Sequence, residues 1–202
     1  VLMGKIDPLE LIFPSGSDHL VAPLYKDTQK SIQSNTAASI VLKDFLHQNK
    51  SKNMRVLEIG GGTGGTTASL LPCFEAHKNF EYVFSDLSNA LLSKSKQRFS
   101  NFCSRMTFVQ LDIENVPTSF DKEFDIVIAS NVLHATKNIR KTMENVFALL
   151  AGGGILIAPE LFHPSPLEDI SFGLLDGWWI FDPDENRSEH PLLSDLAWRN
   201  LL

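Results

Sequence analysis

The chain has 202 residues, 43% of them hydrophobic and 21% charged, with a formal net charge of -6. That length suits one domain with a large core better than two, and no apolar run approaches the length of a membrane span. An acidic balance without a basic block lacks the electrostatic footprint of a nucleic-acid binder, so neither nucleic acid nor membrane is expected as a partner.

Cys73 and Cys103 are the only cysteines. No C-x-x-C spacing or Cys/His cluster accompanies them, so no metal site is expected and they read as free thiols in a reducing, cytoplasmic setting. The chain starts at Val1 with no charged n-region and apolar h-region after it, and it reads as a fragment of something larger.

Residues 1–34 mix Pro8, Pro14, Gly16 and Pro23 with short apolar clusters, which suggests loops and short helical turns. Ala37, Ile40, Val41, Phe45 and Leu46 then recur at helical spacing, predicting a helix that Asn35 or Thr36 caps and that ends near Gln48. Residues 1–50 are therefore read as a cap or junction with one packing helix, and 51–202 as the core. Arg55 to Ile59 is nearly continuously apolar, as a buried parallel strand should be. A short helix, Thr66 to Leu71, is stopped by Pro72, and Phe80 to Phe84 forms a second strand ending at Ser85-Asp86. Ser88 to about Phe99 is a helix with Leu91, Leu92 and Phe99 inward. Met106 to Leu111 and Phe124 to Ala129 are further strands, the second ending at Ser130-Asn131. Ile139, Met143, Val146, Phe147 and Leu150 trace one helical face, with Gly152 as its stop before a fifth strand, Gly154 to Ala158, that Pro159-Glu160 ends. A helix-like stretch, Leu192 to Leu202, closes the chain without a further strand.

This alternation is the signature of an α/β fold with a doubly wound, mainly parallel sheet, whose ligands lie beyond the carboxyl ends of the strands. Such folds usually finish with two more strands, so the C-terminus is read as truncated. Glu58, Asp86, Asp112, Asn131, His134 and Glu160 all fall near that carboxyl edge. Between the first strand and its helix lie five glycines within Gly60 to Gly65, a backbone free of side chains that a ligand can approach closely. Gly60, Gly62 and Gly65 satisfy G-x-G-x-x-G, the dinucleotide pattern, while Glu58, Gly60, Gly62 and Gly64 satisfy E-x-G-x-G-x-G, the S-adenosylmethionine pattern. Asp86, at the tip of the second strand, stands where an adenosine ribose would be held in either case; a plain helix-start residue is the alternative. Up to this point methyl transfer and hydride transfer are both open.

Four stretches narrow the choice: Val56 to Thr67, Ser85-Asp-Leu-Ser88, Asn131-Val-Leu-His-Ala-Thr136 and Phe172-Gly-Leu-Leu-Asp-Gly-Trp-Trp179. Together they resemble the C-methyltransferase domains of modular and iterative polyketide synthases, from about Asp18 to the C-terminus. The last two carry the resemblance, because the glycine loop is shared by many methyltransferases. It implies a Rossmann-like class I methyltransferase fold and S-adenosylmethionine as cofactor. It also implies transfer of a methyl group to the α-carbon of a β-ketoacyl thioester, carried by phosphopantetheine on an acyl carrier protein, with neighbouring synthase domains as further partners. By the same resemblance Glu58, Gly60, Gly62, Gly64, Asp86, Asp112 and Asn131 bind the cofactor, Tyr25, Trp178 and Trp179 border the substrate, and His134 and Glu160 form a catalytic dyad.

The residues suit that chemistry. A carbon between a ketone and a thioester is acidic enough for a base of near-neutral pKa, and histidine is the natural one. Glu160 would hold the ring in the right tautomer. His163 is a rival base, in a proline-flanked loop that reads more simply as a turn; His19, His47, His77 and His190 have no constellation. Three other readings stand beside this one: an O-methyltransferase, an NAD-dependent reductase that would lack the usual Tyr-x-x-x-Lys pair, and a non-catalytic synthase domain, which should have lost the glycine loop or the His/Glu pair.

Overall fold

The computed structural model describes residues 1, 5–12, 14, 17, 19–77, 79–118, 120, 123–183 and 187–202. Helices α1 (Pro8–Ile12), α2 (Ala22–Lys26) and α3 (Gln29–Gln48) precede strand β1 (Met54–Ile59), followed by α4 (Gly65–Leu70), β2 (Phe80–Asp86), α5 (Asn89–Arg98) and β3 (Met106–Gln110). Then come β4 (Phe124–Ala129), α6 (Ile139–Leu149), β5 (Leu150–Ile157), α7 (Pro166–Ser171) and α8 (Asp195–Leu201). The strands form one sheet in the order β3-β2-β1-β4-β5, and every pairing is parallel.

Both faces of the sheet are covered, so neighbouring residues of one strand feed different cores. Val56, Tyr82, Phe84, Ile126 and Ile128 pack with Leu42 and Leu46 of α3, Leu70 of α4 and Leu92 of α5. Leu57, Ile59, Val83 and Val127 pack on the opposite side with Ile139, Met143 and Val146 of α6 and Trp198 of α8. This two-sided burial is why the central strands read as nearly continuous apolar runs. The chain order reverses between β1 and β4, whose carboxyl ends open the crevice typical of such sheets.

The fold corrects several boundaries. Helix α3 starts at Gln29, because Thr28 rather than Asn35 or Thr36 is its cap: the Thr28 hydroxyl accepts from the Ser31 N–H at 3.2 Å. Its buried stripe is Asn35, Ala38, Leu42 and Leu46, while Ile40 and Val41, expected inward, are 64% and 52% exposed. Two stripes on α3 fit the helical period, and the one with small Ala38 at its centre allows the closer approach to the sheet. Helix α6 passes straight into β5 at Leu150, whose extended φ/ψ of -78°/132° ends the helix, so Gly152 lies inside the strand and is not a stop. Phe147, expected on the buried face of α6, is 45% exposed and Thr142 takes an interior position instead. Leu192 and Leu193 are buried ahead of α8, which begins after its cap Ser194. Among the described residues no strand follows β5.

Candidate functional site

At the chain reversal a cavity of about 270 Å³ is lined by Glu58, Gly60, Gly61, Gly62, Asp86, Asp112 and Asn131, among others. The backbone fits the alternating glycine pattern. Gly60, Gly62 and Gly64 take φ of +61°, +56° and +73°, a region closed to most side chains, whereas Gly65 is the first residue of α4 and has no positive φ. The alternating pattern is the one the conformation requires. Gly61, a mere spacer in that pattern, is constrained by contact, since a Cβ there would lie 2.3 Å from the Phe84 ring.

Asp86 organises this loop from the end of β2. Its Oδ2 accepts from the Gly62 N–H at 2.8 Å and its Oδ1 from the Ser88 N–H at 2.8 Å. Each carboxylate oxygen has a second acceptor position for a ligand hydroxyl. Asp86→Ala is expected to weaken S-adenosylmethionine binding by about ten- to a hundredfold, the loss of one or two charge-assisted hydrogen bonds. Calorimetric titration measures it, and an unchanged affinity removes Asp86 from the site. Asp112 shares the cavity wall, but its oxygens accept from the Glu114 N–H at 2.9 Å and the Asn115 side chain at 2.8 Å, bracing its own turn.

Glu58 is 1% exposed, and its Oε2 accepts from the Thr67 hydroxyl and the Tyr82 hydroxyl, both at 2.7 Å. It ties the glycine loop's two flanks, α4 and β2, to the end of β1. Burial pushes its carboxyl up from 4.5 to about 7; the two hydroxyls oppose the rise and the Asp86 charge adds to it. The unfolded chain therefore ionises at lower pH than the folded one, and stability falls as pH rises through that window. Glu58→Gln should flatten the fall by about 3 kcal/mol, read as the difference between wild-type and variant urea unfolding at about pH 4 and pH 8. Parallel pH profiles for the two proteins would show that Glu58 ionises as freely folded as unfolded.

A second cavity, of about 600 Å³, adjoins the first, and Ser31, Ser34, Asn131 and Ala135 belong to both. Leu161, Leu167, Phe172, Leu175 and Trp178 make much of it apolar, and His134 and Glu160 complete its wall. His134 sits in a 3₁₀ turn, Leu133–Ala135, just past β4 and is 4% exposed. Its Nδ1 lies 2.5 Å from Glu160 Oε2, while Glu160 Oε1 accepts from the N–H groups of Val132 at 3.0 Å and Leu133 at 2.8 Å. The carboxylate thus caps the turn that carries the histidine and pairs with its ring. Facing a carboxylate, Nδ1 carries the hydrogen, which leaves the Nε2 lone pair as the site that can accept a proton. Asn131, at φ 52°, turns the chain out of β4, and its N–H donates to the Pro159 carbonyl at 2.8 Å. That bond joins the ends of β4 and β5 and brings the two residues together.

The two tryptophans separate. Trp178 lines the larger cavity, with its ring 5.4 Å from that of His134 and steeply inclined to it, and 6.0 Å from Phe172. Trp179 is 46% exposed, is not among the residues of the cavity wall, and donates its indole N–H to the Gly173 carbonyl at 2.8 Å. Consecutive residues of a 3₁₀ turn point about 120° apart, so one turn, Asp176–Trp179, cannot aim both rings into one cavity. Tyr25 belongs to α2, but its side chain lies outside the described residues. His163 is exposed and is not part of either cavity wall.

Several contributors went unnoticed in the sequence. Ser31, Ser34 and Asn35 reach the site from the first half of α3, a stretch free of Gly and Pro whose helical character was legible but unread. His190 pairs with Asp169 at 3.0 Å and packs edge-on against both Trp178 and Trp179. Arg187, 1% exposed, donates to the carbonyls of His134, Thr136 and Lys137. No local pattern marks an arginine as buried. Among the described residues no group of three or more His, Cys, Asp or Glu side chains is arranged to hold a metal ion, and no helix is long and apolar enough to cross a membrane.

A family model described as a methyltransferase domain matches residues 57–156. The non-reducing polyketide synthase Preu3 of Preussia isomera is 36% identical over 206 residues, which span 98% of this chain and 8% of that protein. The polyketide synthase PksR of Bacillus subtilis is 34% identical over 212 residues, spanning 100% of this chain and 8% of that one. Among solved structures, the CurJ carbon methyltransferase matches with a TM-score of 0.91 at 38% identity, covering 100% of this chain and 54% of its own. The CMeT domain of the citrinin polyketide synthase matches with a TM-score of 0.89 at 33% identity, covering 98% and 52%. The chain thus spans less than a tenth of these curated relatives and about half of these solved chains.

Proposed function

We propose that this chain, which belongs to the S-adenosylmethionine-dependent methyltransferases, among the carbon methyltransferase domains of polyketide synthases, methylates the α-carbon of a β-ketoacyl thioester presented by an acyl carrier protein. The observation that supports this most directly is the His134–Glu160 pair set in the wall of an apolar cavity that adjoins the glycine-loop cavity. C- and O-methyl transfer both need a base, and the likeness to carbon methyltransferase domains favours carbon, where the nucleophile is generated by removing an α-proton. A neutral imidazole with one nitrogen locked on a carboxylate is a fitting base for that step.

When bound, S-adenosylmethionine supplies a methyl group made electrophilic by its sulfonium. The glycine loop, with Gly60, Gly62 and Gly64 at positive φ, and the Asp86 carboxylate suit its amino-acid portion and ribose. His134 Nε2 takes the α-proton, and the charge that develops on the ring is met by Glu160 through Nδ1–H. The electron pair left on the α-carbon spreads onto the two flanking carbonyl oxygens and makes that carbon the nucleophile. Apolar walls at Leu161, Phe172, Leu175 and Trp178 keep water from competing for the proton. Residues 51–202 would form this core with 1–50 as its cap, working beside neighbouring synthase domains in the cytoplasm.

The test is mass analysis of a β-ketoacyl-pantetheine thioester incubated with this protein and S-adenosylmethionine. A product methylated on the α-carbon is the expected outcome. Methylation on the enol oxygen would assign the site to O-methyl transfer, and no methylation of the thioester would overturn the proposal.

A further inference from the structure

The turn that carries His134 is gripped at both ends by opposite charges. Glu160 Oε1 takes the N–H groups of Val132 and Leu133 at its start. At its far end the carbonyls of His134, Thr136 and Lys137 lie where a short helix runs out of its own donors. Arg187 supplies them: Nη1 donates to His134 O at 3.1 Å and Thr136 O at 2.8 Å, and Nη2 to Lys137 O at 2.7 Å. Its guanidinium lies 5.3 Å from the Phe181 ring centroid, and the Asp182 N–H also donates to Lys137 O at 2.8 Å. Arg187 and Asp182 thus both hold the carbonyl end of the turn. Anion at the N-terminal end and cation at the C-terminal end is the arrangement a helical turn's dipole favours.

We propose that Arg187 is a positioning residue for the base, holding the main chain of His134 so that its ring meets Glu160 and the cavity at once. This rests on the reading of His134 as the base. A turn of three residues has almost no rigidity of its own, so the imidazole is placed by what grips its backbone. Glu160 grips only the start, and it does so with the same carboxylate that must align with Nδ1, so the carbonyl end, where His134 itself sits, is placed chiefly by what donates to it. The planar fork of arginine reaches three carbonyls from two nitrogens, which a lysine ammonium on a flexible stem cannot reproduce. Arg187 and Glu160 both lie beyond the residues matched by the general methyltransferase model, which stop at 156. The grip on the base is therefore built by the part of the chain that this wider family's pattern does not include.

The experiment compares wild type with Arg187→Lys, Arg187→Met and His134→Gln. Three quantities are measured: exchange of the α-proton of a β-ketoacyl-pantetheine thioester in heavy water without S-adenosylmethionine, the low-field proton resonance of the His134 ring N–H, and calorimetric S-adenosylmethionine affinity. His134→Gln identifies the ring resonance by its loss. Both Arg187 variants are expected to slow exchange by about 10- to 100-fold, the effect of displacing a reacting group by about an ångström, and to broaden or shift the ring resonance, with cofactor affinity changed only a few fold. Wild-type exchange and an unmoved ring resonance in Arg187→Lys would overturn the proposal, whatever happens to the melting temperature. Should Arg187→Met not fold, Arg187→Lys, which keeps the charge, decides alone. If His134→Gln itself exchanges at the wild-type rate, it is the assignment of the base that fails, and the ring resonance still reports whether Arg187 positions His134.

Discussion

Replacing His134 with glutamine or alanine is expected to lower methyl transfer by about 10² to 10⁴-fold while leaving S-adenosylmethionine affinity within a few fold. The upper end is expected, because the cavity around His134 is largely apolar and water is a poor substitute base there. His134 is buried, and its loss leaves the Glu160 Oε2 facing an empty space while Oε1 is still held by two N–H groups. Glutamine is the better probe for that reason, since its amide can still donate toward Glu160 yet cannot take up a proton. α-Proton exchange in heavy water, run without the cofactor, separates enolisation from methyl transfer. Exchange at the wild-type rate would show that another group removes the proton.

Glu160→Gln is expected to cost about as much as loss of the histidine, roughly 10² to 10⁴-fold in turnover, although it changes a single atom. Glutamine has one acceptor oxygen where the structure uses two carboxylate oxygens. If that oxygen keeps the Val132 and Leu133 N–H groups, the amide NH₂ faces His134 Nδ1 and forces the hydrogen onto Nε2, which removes the lone pair the chemistry needs. If the amide is flipped, its NH₂ meets two backbone donors and the turn is pushed apart. The equivalent asparagine replacement in serine proteases costs about 10⁴ through the same tautomer switch. Because the two residues act as one unit, the double variant His134→Gln/Glu160→Gln should be scarcely slower than either alone. Penalties that multiply in a double-mutant cycle would show that Glu160 works independently of the ring.

Much of this was legible before any tertiary structure. The strands declared themselves because a sheet covered on both faces makes nearly every residue apolar, as in the run from Ile126 to Ala129 and, Glu58 apart, from Val56 to Ile59. The glycine loop was equally plain, and the register of β4 beside β5 put His134 near Glu160, as the strand ends and the family resemblance suggested. Other readings needed contacts that no window contains. Apolar spacing could not tell which stripe of α3 meets the sheet, and it chose Ile40 and Val41 over Ala38 and Leu42. Two adjacent tryptophans looked alike until the 3₁₀ turn sent Trp178 to the cavity and Trp179 outward.

The sequence by itself determined the α/β alternation, the parallel sheet and the glycine cradle, because these follow from local rules, the period of burial and glycine-rich turns after strands, while the candidate dyad came with the family resemblance. Only the tertiary structure decided how the base is held. The bonds from Val132, Leu133 and His134 to Glu160 span 26 to 28 positions, and those from Arg187 to the same turn span 50 to 53. A buried arginine or a doubly used carboxylate leaves no periodic trace, since its partners are backbone groups that every residue carries. Which of those groups it meets is set by the packing of distant segments, and that is a property of the folded chain alone.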